Sequence, residues 1–321
     1  MGFLRIVATG LGAVCALAAI LAQGGRWSGL LDVLTHFAPI WLAGSVLLLV
    51  MALVTPARTR GGRLAMLGGL GVLSTLWLVT PELLRSPSAP APADATRRLK
   101  VIQFNAEPRP ARFDTMARWL ADQDPDILVL EDSTAQLRAL IQRRMPRRMT
   151  CSPGCQVAIL SRARPVDVAT MGGGRWGLDP HTIVATFAPA DGGYVVVGSH
   201  YGRPGAVARK SMTAKTFVQA ENSRRLHRMA APLPRARLIV VGDFNSTPWS
   251  FALRRDDAAL GIERRTQALY SWPAHWFGPP FLPIDQIYAG PAWRTVSVTR
   301  GPRIGSDHYP VVAVLALPRS P

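Results

Sequence analysis

The chain has 321 residues, and 37 Lys and Arg against 20 Asp and Glu give it a formal net charge of +17. That length holds one large domain with an additional unit, or two domains, and the basic balance attracts polyanions and anionic lipid headgroups alike. Three cysteines, Cys15, Cys151 and Cys155, exclude a cysteine-based zinc pattern, and no internal repeat is present.

Three long apolar runs open the chain: Ile6–Ala22, Phe37–Val54 and Leu64–Val79. A spanning helix needs about 20 mostly apolar residues. Each run meets or approaches that length with its flanks, so three transmembrane helices are predicted within residues 1–85. Their glycines suit close helix packing in lipid. The first run alone, behind the short basic start "MGFLR", could serve as a signal peptide, but two more runs follow it. Basic loop residues set orientation. Arg58, Arg60 and Arg63 lie between runs two and three, whereas Arg26 stands against Asp32 between runs one and two. The second loop is therefore placed in the cytoplasm, and the C-terminal part outside. In a bacterium that is a multi-pass inner-membrane protein with a periplasmic domain.

Residues 86–96, "SPSAPAPADAT", read as a semi-rigid tether. The remaining 97–321 read as a soluble domain carrying 31 of the 37 basic residues. Its "CSPGC" at 151–155 allows a tight bend, and either a disulfide or two buried thiols fits it; the exterior placement favours the disulfide.

Within the soluble domain, strands are predicted at 99–104, 126–130, 156–160, 182–187, 194–199, 237–241 and 309–317. Helices are predicted at 113–123 and around 206–230. That alternation indicates an α/β domain with a covered sheet. Several of these strands end in polar residues suited to metal or acid–base chemistry: Asn105, Glu131-Asp132, His200, and Asp243 with Asn245. Asp285 sits in a short apolar run, and Asp307-His308 precede the last strand. Singly, these could be turn residues or satisfied core groups. Together they suggest one site beyond the strand ends.

"FN" (104–105), "PDILVLED" (125–132), "SH" (199–200), "GDFNSTP" (242–248), "PID" (283–285) and "GSDHYP" (305–310) resemble the ordered blocks of the endonuclease/exonuclease/phosphatase superfamily. The resemblance covers 98–317 and extends to a bacterial membrane-anchored branch. It implies a four-layer α/β sandwich, two packed mixed β-sheets flanked by helices, with a Mg²⁺- or Mn²⁺-dependent phosphoester hydrolase site. By the same resemblance Asp243 and Asn245 are the acid–base and orienting pair. Asp285 orients His308 against the scissile phosphate, and His200 donates there. Asn105, Asp307 and the acid at 131/132 hold the metal. The family carries Gln-Glu where this chain has Glu131-Asp132; ungapped alignment favours Asp132, and a bulge would present Glu131 instead. Gln286 stands where relatives often have Tyr or His.

The expected substrate is a phosphate ester. Nucleic acid fits the basic domain, where Arg143, Arg144, Arg147 and Arg148 could meet phosphates, and a phospholipid or phosphoinositide headgroup fits the membrane tether. The intact polar set argues against an inactive binding protein of the same fold, and the charge-free runs argue against transport. No protein partner is inferable.

Overall fold

The computed structural model describes residues 2–55, 61–92, 95, 97–173, 178–188, 190, 193–209, 215–275 and 278–317. Two compact units result: Met1–Arg85 with Thr247–Arg254, and Ser86–Ser246 with Arg255–Pro321.

In the first unit, α1 (Gly2–Ala22), α2 (Gly29–Thr35), α3 (Ala38–Leu53) and α4 (Gly62–Leu83) form a helical cluster. Its interior holds many small side chains beside Leu48 and Leu78, and its exterior is apolar. Small side chains face inward: Ala16, Ala19, Ser45 and Thr75 are fully buried, and a Cβ at Gly71 would collide with Ala16 and the Ser45 hydroxyl. Large apolar ones, among them Phe3, Leu11, Leu17, Leu73 and Trp77, face outward. Close helix approach through small residues with an apolar exterior is what a lipid solvent selects. Gly2–Arg26 and Gly62–Leu83 are long and apolar enough to cross a membrane. The second predicted span differs from expectation. Its helix α3 has only 16 residues, too short alone for a hydrocarbon core about 30 Å thick, and it follows α2 at a 68° bend. That bent pair makes a third span only if both helices are counted as one. Asp32 of α2 is buried and accepts from the backbone N–H groups of Phe251 and Ala252, within the same unit. Arg58 and Arg60, on which the predicted orientation rests, lie outside the described residues; Arg63 is in the first turn of α4.

The second unit runs β1 (Arg97–Asn105), α5 (Phe113–Gln123), β2 (Ile127–Glu131), α6 (Ala135–Arg144), β3 (Arg148–Cys151), β4 (Val157–Ser161), β5 (Asp167–Met171), β6 (His181–Thr186) and β7 (Val195–His200). It continues with β8 (Val207–Arg209), β9 (Lys215–Phe217), α7 (Val218–Ala230), β10 (Leu238–Asp243), α8 (Phe251–Leu260, of which the part from Arg255 belongs to this unit), β11 (Glu263–Arg264), β12 (Asp285–Ala289), β13 (Arg294–Arg300) and β14 (Val311–Leu317). Two six-stranded sheets form, ordered β13-β14-β1-β2-β4-β3 and β11-β12-β10-β7-β6-β5. Each is antiparallel apart from one central parallel pair, β1–β2 and β10–β7. The expected helix around 206–230 is instead a small hairpin, β8–β9, followed by α7; residues 210–214 lie outside the described residues.

Side-chain alternation assigns each strand two faces. Val101, Ile127, Val129, Val157, Ile159, Ile183, Val196, Ile239, Val241, Ile287, Val311 and Ala313 fill the core between the sheets. Burying one such Val or Ile contributes about 1.5–3 kcal/mol. On the outer face of the first sheet, Ile102, Phe104, Leu128 and Leu130 meet Phe113, Met116, Ala117 and Leu120 of α5, spaced as one helix stripe, with Leu137 and Ile141 of α6. Thr134 caps α6 by accepting from the Leu137 N–H. On the second sheet, Tyr288 points outward and its hydroxyl donates to Asp257 of α8, which α7 joins through Ser223 and Asp256. The result is the expected four-layer α/β sandwich, two mixed sheets flanked by helices.

Cys151 and Cys155 are joined by a disulfide, with Cα atoms 4.7 Å apart. The bridge closes the turn between β3 and β4.

Candidate active site

The inner-face rows of both sheets change from apolar to polar at the same end. In β1 the row Val101, Gln103, Asn105 ends in two amides. In β2, Ile127 and Val129 lead to Glu131. In β7, Val196 and Gly198 lead to His200. In β10, Ile239 and Val241 lead to Asp243, and in β12 Ala289 and Ile287 lead back to Asp285. Because the side-chain period is two, these residues inherit the inward direction of the apolar residues before them. All but His200 are nearly or fully buried.

Gly242 makes one of these approaches possible. Its φ is +159°, and a Cβ there would clash with the Ser199 carbonyl of the neighbouring strand. Asn245 follows in the left-handed region at φ +48°, which Asn tolerates better than most residues. The resulting turn brings the Asn245 N–H back to Asp243 Oδ1 at 2.8 Å.

Asp243 is at the centre. Its Oδ2 accepts from Asn105 Nδ2 at 3.1 Å and lies 3.7 Å from Nε2 of both His200 and His308. His308 Nδ1 donates to Asp285 Oδ2 at 2.9 Å. Asn245 Nδ2 donates to the Tyr201 carbonyl at 2.9 Å, which fixes the turn. Burial and the Asp285 charge push the Asp243 carboxyl up to about 6, against the lowering effect of His308 and His200. Burial opposes charge on His308, but Asp285 and Asp243 outweigh it and hold the imidazolium up to about 10.

Asp307 is half-buried; its Oδ2 accepts from Trp272 Nε1 at 3.0 Å. The Ser306 hydroxyl lies 2.7 Å from the Asn105 carbonyl and accepts from the His308 N–H at 3.1 Å, so the loop before β14 is tied to the end of β1.

The two adjacent acids reach the site in different ways. Asn105 and Glu131 are register partners, and Glu131 is fully buried on the inner face. Asp132, favoured by the ungapped alignment, belongs to the opposite parity. It reaches the site because its own φ is +50°, which turns it toward His200 Nδ1 (3.5 Å) and Asn105 Nδ2 (3.5 Å). Burial, Asp285 and Asp243 all raise the Glu131 carboxyl well above the usual range.

Sequence reasoning missed Gln103. Its Nε2 donates to Glu131 Oε2 at 3.1 Å and to Asp285 Oδ1 at 2.7 Å, bridging the sheets. The signal was present: a polar residue two positions before Asn105 in an apolar strand. Gln286 faces the other way; it donates to the Pro283 carbonyl and accepts from Thr266, so it does not contact the site. Arg144 and Arg147 pair with Asp114 and Asp124, so these two guanidinium groups already have carboxylate partners.

Buried acceptor oxygens test whether a cation fits. Asn105 Oδ1, Glu131 Oε1 and Gln103 Oε1 have no hydrogen-bond donor. An orphaned buried oxygen is costly, and amide and carboxylate oxygens are what Mg²⁺ and Mn²⁺ take. Asp243, Asp285 and His308 also place ligand atoms within 4.8 Å of one another. His308, however, spends Nδ1 on Asp285, and its imidazolium form offers no lone pair. The Asn105–Glu131 corner is the better fit.

The endonuclease/exonuclease/phosphatase family profile matches residues 55–308. No curated protein matches the sequence. Among solved structures, an endonuclease/exonuclease/phosphatase from Bacteroides vulgatus aligns at a TM-score of 0.56 and 16% identity, over 70% of this chain and 100% of that one. A mannosyl-6-phosphatase from Bacteroides thetaiotaomicron aligns at 0.50 and 14%, over 68% and 100%. D. rerio TDP2 complexed with a single-strand DNA product aligns at 0.50 and 14%, over 68% and 98%. At these identities the likenesses show the fold. With the profile spanning most of the chain, this protein belongs to the endonuclease/exonuclease/phosphatase family.

Proposed function

We propose that the chain is a divalent-cation-dependent phosphoester hydrolase, with residues 1–85 as membrane anchor, 86–96 as tether and 97–321 as catalytic domain outside the cytoplasmic membrane. The observation that carries this reading is the convergence of Asn105, His200 and His308 on the buried Asp243 carboxylate, with Asp285 behind His308 and Glu131 beside Asn105. The fold shared with a sugar-phosphate phosphatase and with a protein holding a DNA product supports the phosphoester class. The apolar exterior of the N-terminal helices supports the anchor.

Asn105 and Glu131, with Asp132 and Asp307 beside them, would hold the cation. When bound, it neutralises charge on the phosphoryl oxygens. Asp243, oriented by the Asn105 amide and the Asn245 N–H, accepts a proton from the attacking water. As the water oxygen bonds to phosphorus, the ester P–O bond breaks. His308, kept cationic by Asp285, faces the phosphoryl group with Nε2. His200 supplies a second donor, from which the leaving oxygen takes its proton. These are positioned charges acting where negative charge shifts.

The test is a screen of the full chain, purified in detergent, with Mg²⁺ and Mn²⁺ against DNA, RNA, phospholipids, inositol phosphates and a chromogenic phosphodiester. Cation-dependent release of one ester product supports the reading. Hydrolysis that Asp243→Asn leaves unchanged contradicts it.

A further inference from the structure

A second concave site abuts the first. Arg109, Arg112, Thr115, His275, Arg303 and Ser306 line a cleft of about 320 Å³. Its side chains come from three separate places in the chain: the connection from β1 with the first turn of α5, the loop near Trp272, and the loop from β13 to β14. Among the described residues no carboxylate lines it. It adjoins the candidate active site directly, because Ser306 is bonded to Asn105 and the Ala274 N–H donates to the Asp307 carbonyl at 2.6 Å.

The cleft has the build of an anion site. Arg112 is the residue before α5, which places its side chain at the start of that helix. The Arg112 stem is seated on Gly305: φ there is +121°, and a Cβ would meet the Arg112 side chain at 2.4 Å or beyond, so glycine leaves room for it. Arg112 has no carboxylate partner among the described residues. Arg303 is steadied at 3.3 Å by the Tyr309 hydroxyl, and Arg109 by Glu107 at 3.1 Å. Guanidinium groups match phosphate through forked N–H pairs. The volume lies at the small end for ligand pockets and suits one phosphate with part of its carrier.

We propose that this cleft binds a second phosphate of the substrate, beyond the one that is cleaved. The inference rests on the hydrolase reading of the adjoining site. It narrows the substrate class to esters bearing two or more phosphate groups, whether a nucleotide strand or a bis-phosphorylated small molecule.

The test is equilibrium binding to the full-length Asp243→Asn protein in detergent with millimolar Mg²⁺. Two ligand pairs separate the sources: adenosine 3′,5′-bisphosphate against adenosine 5′-monophosphate, and fructose 1,6-bisphosphate against fructose 6-phosphate. At least one bisphosphate binds about tenfold or more tightly than its monophosphate partner. Arg112→Ala together with Arg303→Ala reduces that advantage to about threefold or less, whereas Arg228→Ala, which removes a charge from the exposed face of α7, preserves it. An advantage in the nucleotide pair alone assigns a nucleic-acid-type source, and an advantage in both assigns the phosphate pair itself. Equal affinities, no binding of either bisphosphate, or an advantage that survives loss of both arginines overturns the proposal. The hydrolase reading fails separately: an arginine-dependent advantage in a protein whose wild type cleaves no ester in the screen leaves the cleft standing and removes the chemistry.

Discussion

Gln103 and Asp285 are 182 residues apart, on different sheets, yet Gln103 Nε2 lies 2.7 Å from Asp285 Oδ1. One amide thereby links the Glu131 carboxylate to the carboxylate that holds His308. Gln103→Ala leaves Glu131 and Asp285 without that donor. We expect kcat to fall about 10–100-fold with little change in KM, the range found for residues that orient ligands. Gln103→Glu, which adds a fourth buried acid to Glu131, Asp243 and Asp285, should be worse, and Gln103→Asn should recover part of the loss. A change confined to KM would show that Gln103 does not act through its neighbours.

Asp243→Asn preserves size and most hydrogen bonding but removes the proton acceptor. Turnover should drop by about 10²–10⁴-fold, with far-UV circular dichroism and melting temperature close to wild type. Added Mg²⁺ should not restore it.

Glu131 and Asp132 are distinguished by cation titration. Glu131→Gln should raise the Mg²⁺ concentration for half-maximal rate by at least about tenfold, and Asp132→Asn by less, because only Glu131 is fully buried beside Asn105 with an unpaired oxygen. The reverse order would move the cation toward the turn.

The acid limb of the pH profile follows from Asp243. Only its ionised form accepts a proton, and burial with Asp285 raises its pKa to about 6. kcat/KM should therefore be level above about 6 and fall about tenfold per pH unit below it. A saturating divalent cation adds positive charge nearby and draws the limb lower. A limb centred above pH 8 would assign the titration to another group.

Cys151 and Cys155 should resist thiol labelling in denatured, unreduced protein, leaving Cys15 as the labelled residue. Reduction opens a five-residue loop, worth about 2 kcal/mol by the closure formula, and should lower the melting temperature without abolishing hydrolysis.

Much of the site is legible in the sequence because strand ends are marked by apolar runs that stop at polar residues. "RLIVVGDFN" gives both β10 and the two polar residues that follow it. The choice between Glu131 and Asp132 was obscured because motif alignment counts positions and ignores faces. Parity favours Glu131, the second residue after Val129, but the positive φ that brings Asp132 back has no signature in "LED". Edge strands β3, β5 and β13 were missed because they are short or exposed on one side, so no unbroken apolar run marks them. The cleft was illegible because Arg112 and Arg303 meet only when β1 and β14 pair, and Arg-rich composition offers many other candidates.

The polar groups of the site are the last rungs of inner-face ladders, and this makes activity a gauge of strand register. A one-residue slip of β10 would turn Asp243 outward with Ile239 and Val241, while most of the sheet's hydrogen bonds could form again one step along. Spectroscopy that counts strand content would hardly register the change. In refolding experiments, regain of hydrolysis should therefore lag regain of the β-sheet signal whenever slipped pairings form first, and the lag would measure how long the chain spends correcting them.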